Sequence, residues 1–248
     1  MIALAAAAHP DDIEFMMAGT LLRLKDAGCE IHLWNLANGC CGSNALSKEE
    51  AAALRWKEAL DSAELAGGTA HPPLFNDIEV FYDAPSIAKV AAVIRRIRPD
   101  IILTHSPQDY MEDHQNTARL VVTGTFTRAM KNLITDPETA THDKPVALYH
   151  ALPHGLRDAL RVEVLPHFYT DITDVIACKR AMLACHASQR EWLDATQGMN
   201  AYLDEMERSS RKVGAMSQRH TYAEGWRRHS HLGFGPEDFD PLSDLLKP

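Results

Sequence analysis

The sequence predicts an α/β fold: a Rossmann-like, doubly wound, mainly parallel sheet flanked by helices, with a C-terminal extension. Three observations predict it. Short apolar runs at 2–7, 31–37 and 101–104 alternate with segments of helical periodicity. The turn after the first run is Ala8-His9-Pro10-Asp11-Asp12-Ile13-Glu14, so polar chemistry sits on the sheet edge where such folds bind ligands. That turn lacks the glycine fingerprint of dinucleotide binding, which assigns the edge to a metal instead.

Each element follows from its residues. Ile2 to Ala7 reads as a buried parallel strand; Met1 to Ala8 has no basic leader and is therefore not read as a signal peptide. Phe15, Met16, Ala18, Leu21, Leu22 and Leu24 recur at helical spacing, and Gly28 closes that helix. Ile31 to Ala37 is the second strand. The Gly- and Asn-rich loop Asn38 to Asn44 then lies on the same edge, either admitting a substrate to the backbone or only turning the chain. It lacks the lysine of a phosphate loop. Ser47-Lys48-Glu49-Glu50 is a capping box for a helix running to about Leu65, which Gly67-Gly68 ends.

Residues 70–82 suggest a brief strand and a loop. Pro85 to Arg98 is a helix that buries Ile87, Val90, Ala91, Ile94 and Ile97, and Pro99-Asp100 stops it before the strand Ile101 to Thr104. His105 to His114 forms the next turn and Gln115 to Lys131 the next helix. Beyond it come a polar connection at 137–145, a strand at 146–149 and a surface excursion at 154–161. A strand is predicted at 162–169, then a helix capped by Asp171-Ile172-Thr173-Asp174 and reaching His186. An amphipathic helix at 199–213 precedes a tail, 216–234, that holds His220, His229, His231 and Trp226.

A chain of 248 residues with 46% apolar and 24% charged side chains suits one globular domain, 1–248. Its metal-site half is 1–135, with the remaining strands, helices and extension at 136–248. A net charge of −9 argues against nucleic acid and anionic membranes as partners. No apolar run is long enough to span a bilayer. The five cysteines include no CxxC pair, which disfavours a thiolate metal site and fits reduced thiols in the cytoplasm. Vicinal Cys40-Cys41 is either a redox pair or two small buried loop residues.

His9 and Asp12, three residues apart on a turn, are ligand types zinc accepts, and Pro10 presets the backbone between them. His114 opens a helix after another strand. Alone, Asp12 could be an N-cap and His114 a surface residue. Together they give two imidazoles and one carboxylate with a fourth position left open for water, and Asp11 is free for proton transfer. That set suits metal-assisted hydrolysis of an amide.

The stretch His9 to Glu14 with Ala8 resembles the first motif of the PIG-L/LmbE-like zinc-dependent N-acetylglucosaminyl deacetylases. Asp113-His114, with Pro107 and Asp109 upstream, resembles the second. Arg55 and Glu58 are similar to an Arg-x-x-Glu of the second long helix, and Asp171-Ile172-Thr173, Ser188-Gln189 and Tyr222-Ala223-Glu224 to weaker late motifs. The resemblance implies zinc on His9, Asp12 and His114, with iron or cobalt also compatible. It implies Asp11 as general base, Arg55 against substrate, and an N-acetylated sugar or sugar conjugate as that substrate. A larger N-acyl group, or zinc and sugar binding without catalysis, are the alternatives, and a homo-oligomer is compatible with the tail.

One position departs from the pattern. Where many members carry a first histidine in His-Pro-Asp-His, this chain has Met111. A thioether cannot donate a proton, so the candidates to replace it are His105, Tyr110, His220, His229 and His231, with His105 favoured because it leaves the same strand end. Asp113 is a further candidate at the substrate side, orienting a ligand or a neighbour.

Overall fold

The computed structural model describes residues 1–189 and 202–246. Among the described residues seven strands form one sheet: β1 (Ile2–Ala7), β2 (Glu30–Asn35), β3 (Thr69–His71), β4 (Ile101–Thr104), β5 (Ala147–Ala151), β6 (Phe168–Asp171) and β7 (Ala223–Arg228). Their order is β3-β2-β1-β4-β5-β7-β6. β1 to β5 pair in parallel and β7 runs antiparallel between β5 and β6. The mainly parallel α/β sheet is the one expected.

Alternation along β1 sends Ala3, Ala5 and Ala7 to one face and Leu4 and Ala6 to the other, both wholly buried. The first face packs on α1 (Asp12–Met16), α2 (Ala18–Asp26), α3 (Lys48–Ala66) and α6 (Ile176–Ala184); the second packs on α4 (Ala84–Ile97) and α5 (Glu112–Phe126). The strand order reverses between β1 and β4. Their carboxyl ends therefore splay their loops apart into a crevice, and those loops carry His9 and His114.

Local sequence signals act as read at several points. Ser47 and Glu50 cap α3 reciprocally, and Gly67 at φ 66° closes it. Elsewhere tertiary context wins. The first helix breaks at Met17, and the helix expected from Gln115 begins at Glu112 and gives way to a 3₁₀ turn at Thr127–Ala129. The strand expected over 162–169 is displaced to Phe168–Asp171, where the chain runs along β7; before it Glu163 makes only an isolated bridge to Arg157. The helix after it starts later, at Ile176, behind a 3₁₀ turn. The stretch read as a tail supplies β7, whose Ala223 to Trp226 are buried. The amphipathic helix is α7 (Tyr202–Ser217), and residues 199–201 of the expected span lie outside the described residues. No helix of the described residues is long and apolar enough to cross a membrane.

β7 is fixed by a buried charge. Glu224 accepts the backbone N–H groups of Gly19 and Thr20 at the start of α2 (2.9 and 2.7 Å) and pairs with Lys179 of α6 at 2.6 Å. The two N–H groups at the helix start would otherwise lack partners inside the helix. A Cβ on Gly19 would lie 2.6 Å from Ile172 and 2.9 Å from Glu224, so glycine is what lets the carboxylate reach that backbone. Lys179→Met should therefore leave an unpaired buried carboxylate and cost about 3–5 kcal/mol in chemical denaturation. Lys179→Met with Glu224→Leu should recover much of that loss; an unchanged single variant would show that the pair is not what holds β7.

Candidate functional site

The turn after β1 is built to converge. Asp11 has φ 107°, a left-handed conformation that is strained for a non-glycine residue. It folds the chain so that Asp12 N–H reaches the His9 carbonyl (3.2 Å) and the Asp12 carboxylate accepts the His9 N–H (2.8 Å). Asn35 of β2 also donates to the His9 carbonyl. Asp12 Oδ2 then lies 3.4 Å from His9 Nδ1 and 3.3 Å from His114 Nε2. These three residues form a group able to hold a metal ion, with ligand atoms all within 4.8 Å of one another. Two nitrogens and a carboxylate oxygen are a donor set that zinc and its neighbours accept.

Every imidazole in the group is held from behind. His9 Nε2 is 2.9 Å from Asp113, which also accepts the Ile78 N–H at 2.7 Å. His114 Nδ1 is 3.1 Å from Asp109. His105 lies flat on His114, with centroids 4.1 Å apart, and its Nε2 accepts the Ala8 N–H at 2.8 Å. Carboxylate partners of this kind fix which ring nitrogen faces an ion. His105 and Asp113 are both buried and do not line the cavity. Their partners are protein groups, so the structure gives them a supporting position and not the substrate contact expected for them.

Asp11 faces the cavity beside the triad. Tyr202 of α7 donates a 2.5 Å hydrogen bond to its Oδ2, and Arg55 of α3 lies 3.6 Å from its Oδ1. The Arg55 fork also donates to the Pro10 and Gly39 carbonyls. Arg55, expected against substrate, lines the cavity; it is 3% exposed, and its fork also braces the turn. Glu58, one helical turn on, accepts from the Ser188 N–H and hydroxyl at 2.8 and 2.6 Å.

The cavity has a volume of about 520 Å³. Beyond the acidic floor its walls include Phe15, Met16, Ile78, Tyr110, Met111, His154, Gln189 and Tyr202. Met111 and Tyr110 are present as expected; His220, His229 and His231 do not line it. His229 instead bonds His150 at 3.0 Å, and His220 lies 3.4 Å from Asp171. His154, read as part of a surface excursion, points to the cavity because Leu156 anchors its loop in the core. Tyr202 had no signal in the sequence: it reaches Asp11 across 191 positions. At the rim, Cys41 is exposed while Cys40 is buried, so only one of the pair matches the buried-loop reading.

The electrostatics follow from burial against pairing. Burial alone would push the Asp12 carboxyl up, but His114 and His105 hold it well below the usual carboxylate range. Burial would lower His9, yet Asp113 and Asp12 raise it to about 9; Asp12 and Asp109 raise His114 to about 10 against the same penalty. Burial raises Asp11, with Arg55 opposing it, which moves this carboxyl toward the range where a base works near neutrality.

Residues 4–124 match the family model PIG-L, described as GlcNAc-PI de-N-acetylase. The chain is 28% identical over 188 residues to the diacetylchitobiose deacetylase of Thermococcus kodakarensis, covering 73% of this chain and 67% of that one. It is 26% identical over 239 residues to the 4-oxalmesaconate hydratase of Pseudomonas putida, covering 90% and 87%. Among solved structures it resembles the N,N'-diacetylchitobiose deacetylase of Pyrococcus horikoshii, with a TM-score of 0.75, 22% identity, and 97% and 88% of the two chains covered.

The sign of the pH dependence follows from the raised imidazoles. In the metal-free protein their pairing stabilises the fold below the unfolded value of about 6.5 and is lost as pH rises through 9–10. A divalent ion must displace those protons, so its affinity should rise from pH 6 toward pH 9. Calorimetric titration of zinc into metal-free protein at pH 7, in buffers of different ionisation enthalpy, should show release of about two protons per ion. Uptake with no proton release would show that the two rings are already neutral in the metal-free protein at pH 7.

Proposed function

We propose that this chain, whose residues 4–124 form a PIG-L family domain, is a zinc-dependent N-deacetylase acting on an N-acetylated amino sugar or sugar conjugate. The observation that carries the reading is the meeting of His9, Asp12 and His114 on a cavity floor with the carboxyl of Asp11 beside them. His9, Asp12 and His114 would hold the ion. When bound, zinc polarises an amide carbonyl and makes water acidic enough to ionise near neutrality.

The chain's own residues do the rest. Asp11 takes the proton of the attacking water; the Tyr202 hydroxyl and the Arg55 fork keep its carboxyl aimed at one place. Asp113 and Asp109 orient the two rings. Phe15, Met16, Ile78 and Met111 shield the floor from bulk water and give the substrate an apolar surface.

A hydratase is the second reading, favoured by the alignment to 4-oxalmesaconate hydratase over 90% of the chain. A base and a metal serve water addition to an unsaturated acid equally well. The cavity favours the amide: among the described residues Arg55 is the one Lys or Arg on its walls, and its fork is engaged by backbone carbonyls and Asp11. Multiple carboxylates would call for several free cationic partners.

Purified protein loaded with zinc should release amine from N-acetylated sugars and leave unsaturated polycarboxylic acids unchanged. In Asp11→Asn the metal should stay while kcat falls about 10²–10⁴-fold. Equal loss of metal would exchange the roles of Asp11 and Asp12. Water addition without amine release would establish the hydratase, and zinc and sugar binding with neither reaction would leave a binding protein.

A further inference from the structure

We propose that His154 is a catalytic residue that protonates the departing amine, an inference that rests on the deacetylase reading above. Its ring lines the cavity, packed edge-on against Phe15 with centroids 4.9 Å apart and facing Tyr110 at 6.3 Å. Tyr110 in turn packs on His114 at 5.7 Å, so the ring sits one side chain away from the triad. The described residues give neither of its nitrogens a hydrogen bond. His9, His105 and His114 are all committed, to Asp113, to the Ala8 N–H and to Asp109 respectively. Among the described residues His154 is therefore the cavity imidazole without a hydrogen-bond partner.

The other candidates are less able to serve the nitrogen. Asp11 is held by Tyr202 on one oxygen and faced by Arg55 on the other, which fits a base working at one point and not a group that follows a leaving atom. The Tyr202 hydroxyl already donates to Asp11 at 2.5 Å, and the Tyr110 hydroxyl is a phenol, a far weaker acid than an imidazolium. Met111 carries no proton to give.

The loop that presents His154 is firm. Pro153 precedes it, Gly155 turns at φ 75°, and Leu156 is buried. The Leu156 N–H reaches the Pro153 carbonyl at 2.9 Å, and the Leu156 carbonyl accepts from Val164 at 3.0 Å. Burial lowers the His154 pKa against Glu205, Asp12 and Asp109, with His114 also lowering it, so the imidazolium is the minor form near neutral pH and gives up its proton readily.

The step balances. The C–N bond breaks with its electron pair passing to nitrogen, and that nitrogen takes the proton of the His154 imidazolium. Asp11 holds the proton of the water that supplied the new C–O bond. Solvent afterwards removes the proton from Asp11 and returns one to His154, so the net change is amide plus water to acetic acid plus amine, which exchange a proton to become acetate and ammonium near neutral pH.

The test uses zinc-loaded enzyme and an N-acetylated sugar that the wild type cleaves. His154→Ala and His154→Gln should keep zinc content and Tm, change KM less than about threefold, and lose about 10²-fold or more in kcat. Added imidazole should restore part of the loss in His154→Ala, and the second change Met111→His in the same variant should do likewise. Activity retained in either single variant, a change in KM alone, or a loss that neither imidazole nor Met111→His restores would overturn the inference. A wild type that releases no amine would instead sink the deacetylase reading and this inference with it.

Discussion

A single buried carboxylate organises the centre of this molecule. Asp12 accepts the backbone N–H of His9 and lies within 3.4 Å of nitrogens from His9, His105 and His114. A charge withdrawn from water in this way is tolerable only if it is surrounded by donors. Strand β1 brings the first ring, β4 the second, and α5 the third. The register of β1 against β4, Ala6 beside Thr104, is therefore also the condition for the site. Shift that pairing by one residue and both the core faces and the ligands turn away.

Much of this was legible because it is local. The turn at residues 8–14 carries its ligands within four residues, and the apolar runs on either side say which edge of the sheet it occupies. His114 was legible for the same reason, since a second strand delivers it to the same edge. The doubly wound sheet follows from these alternations, and the reversal of strand order between β1 and β4 turns two loops into one crevice.

What escaped is what the chain makes by long return. Tyr202 touches Asp11 and Ser188 touches Glu58 only because α6 and α7 pack back over the first third of the chain, and no spacing encodes that contact. His154 lies in a polar, Gly-containing stretch that looks exposed until Leu156 is seen in the core. Strand β7 was hidden by its composition: Glu224, Arg227 and Arg228 do not read as a central strand, and Glu224 is buried only because Lys179 and two helix N–H groups wait for it. Arg55 was found by resemblance, but its grip on the Pro10 and Gly39 carbonyls is a matter of loop geometry.

The position of β7 between β5 and β6 bears on how the chain emerges from the ribosome. β6 is made some fifty positions before β7, yet its ladder partner is β7 and not β5. Until residue 228 is free of the exit tunnel, β5 presents a bare hydrogen-bonding edge and β6 has nothing to pair with. A chain that stops short of that point leaves this border of β5 open to pairing with another strand.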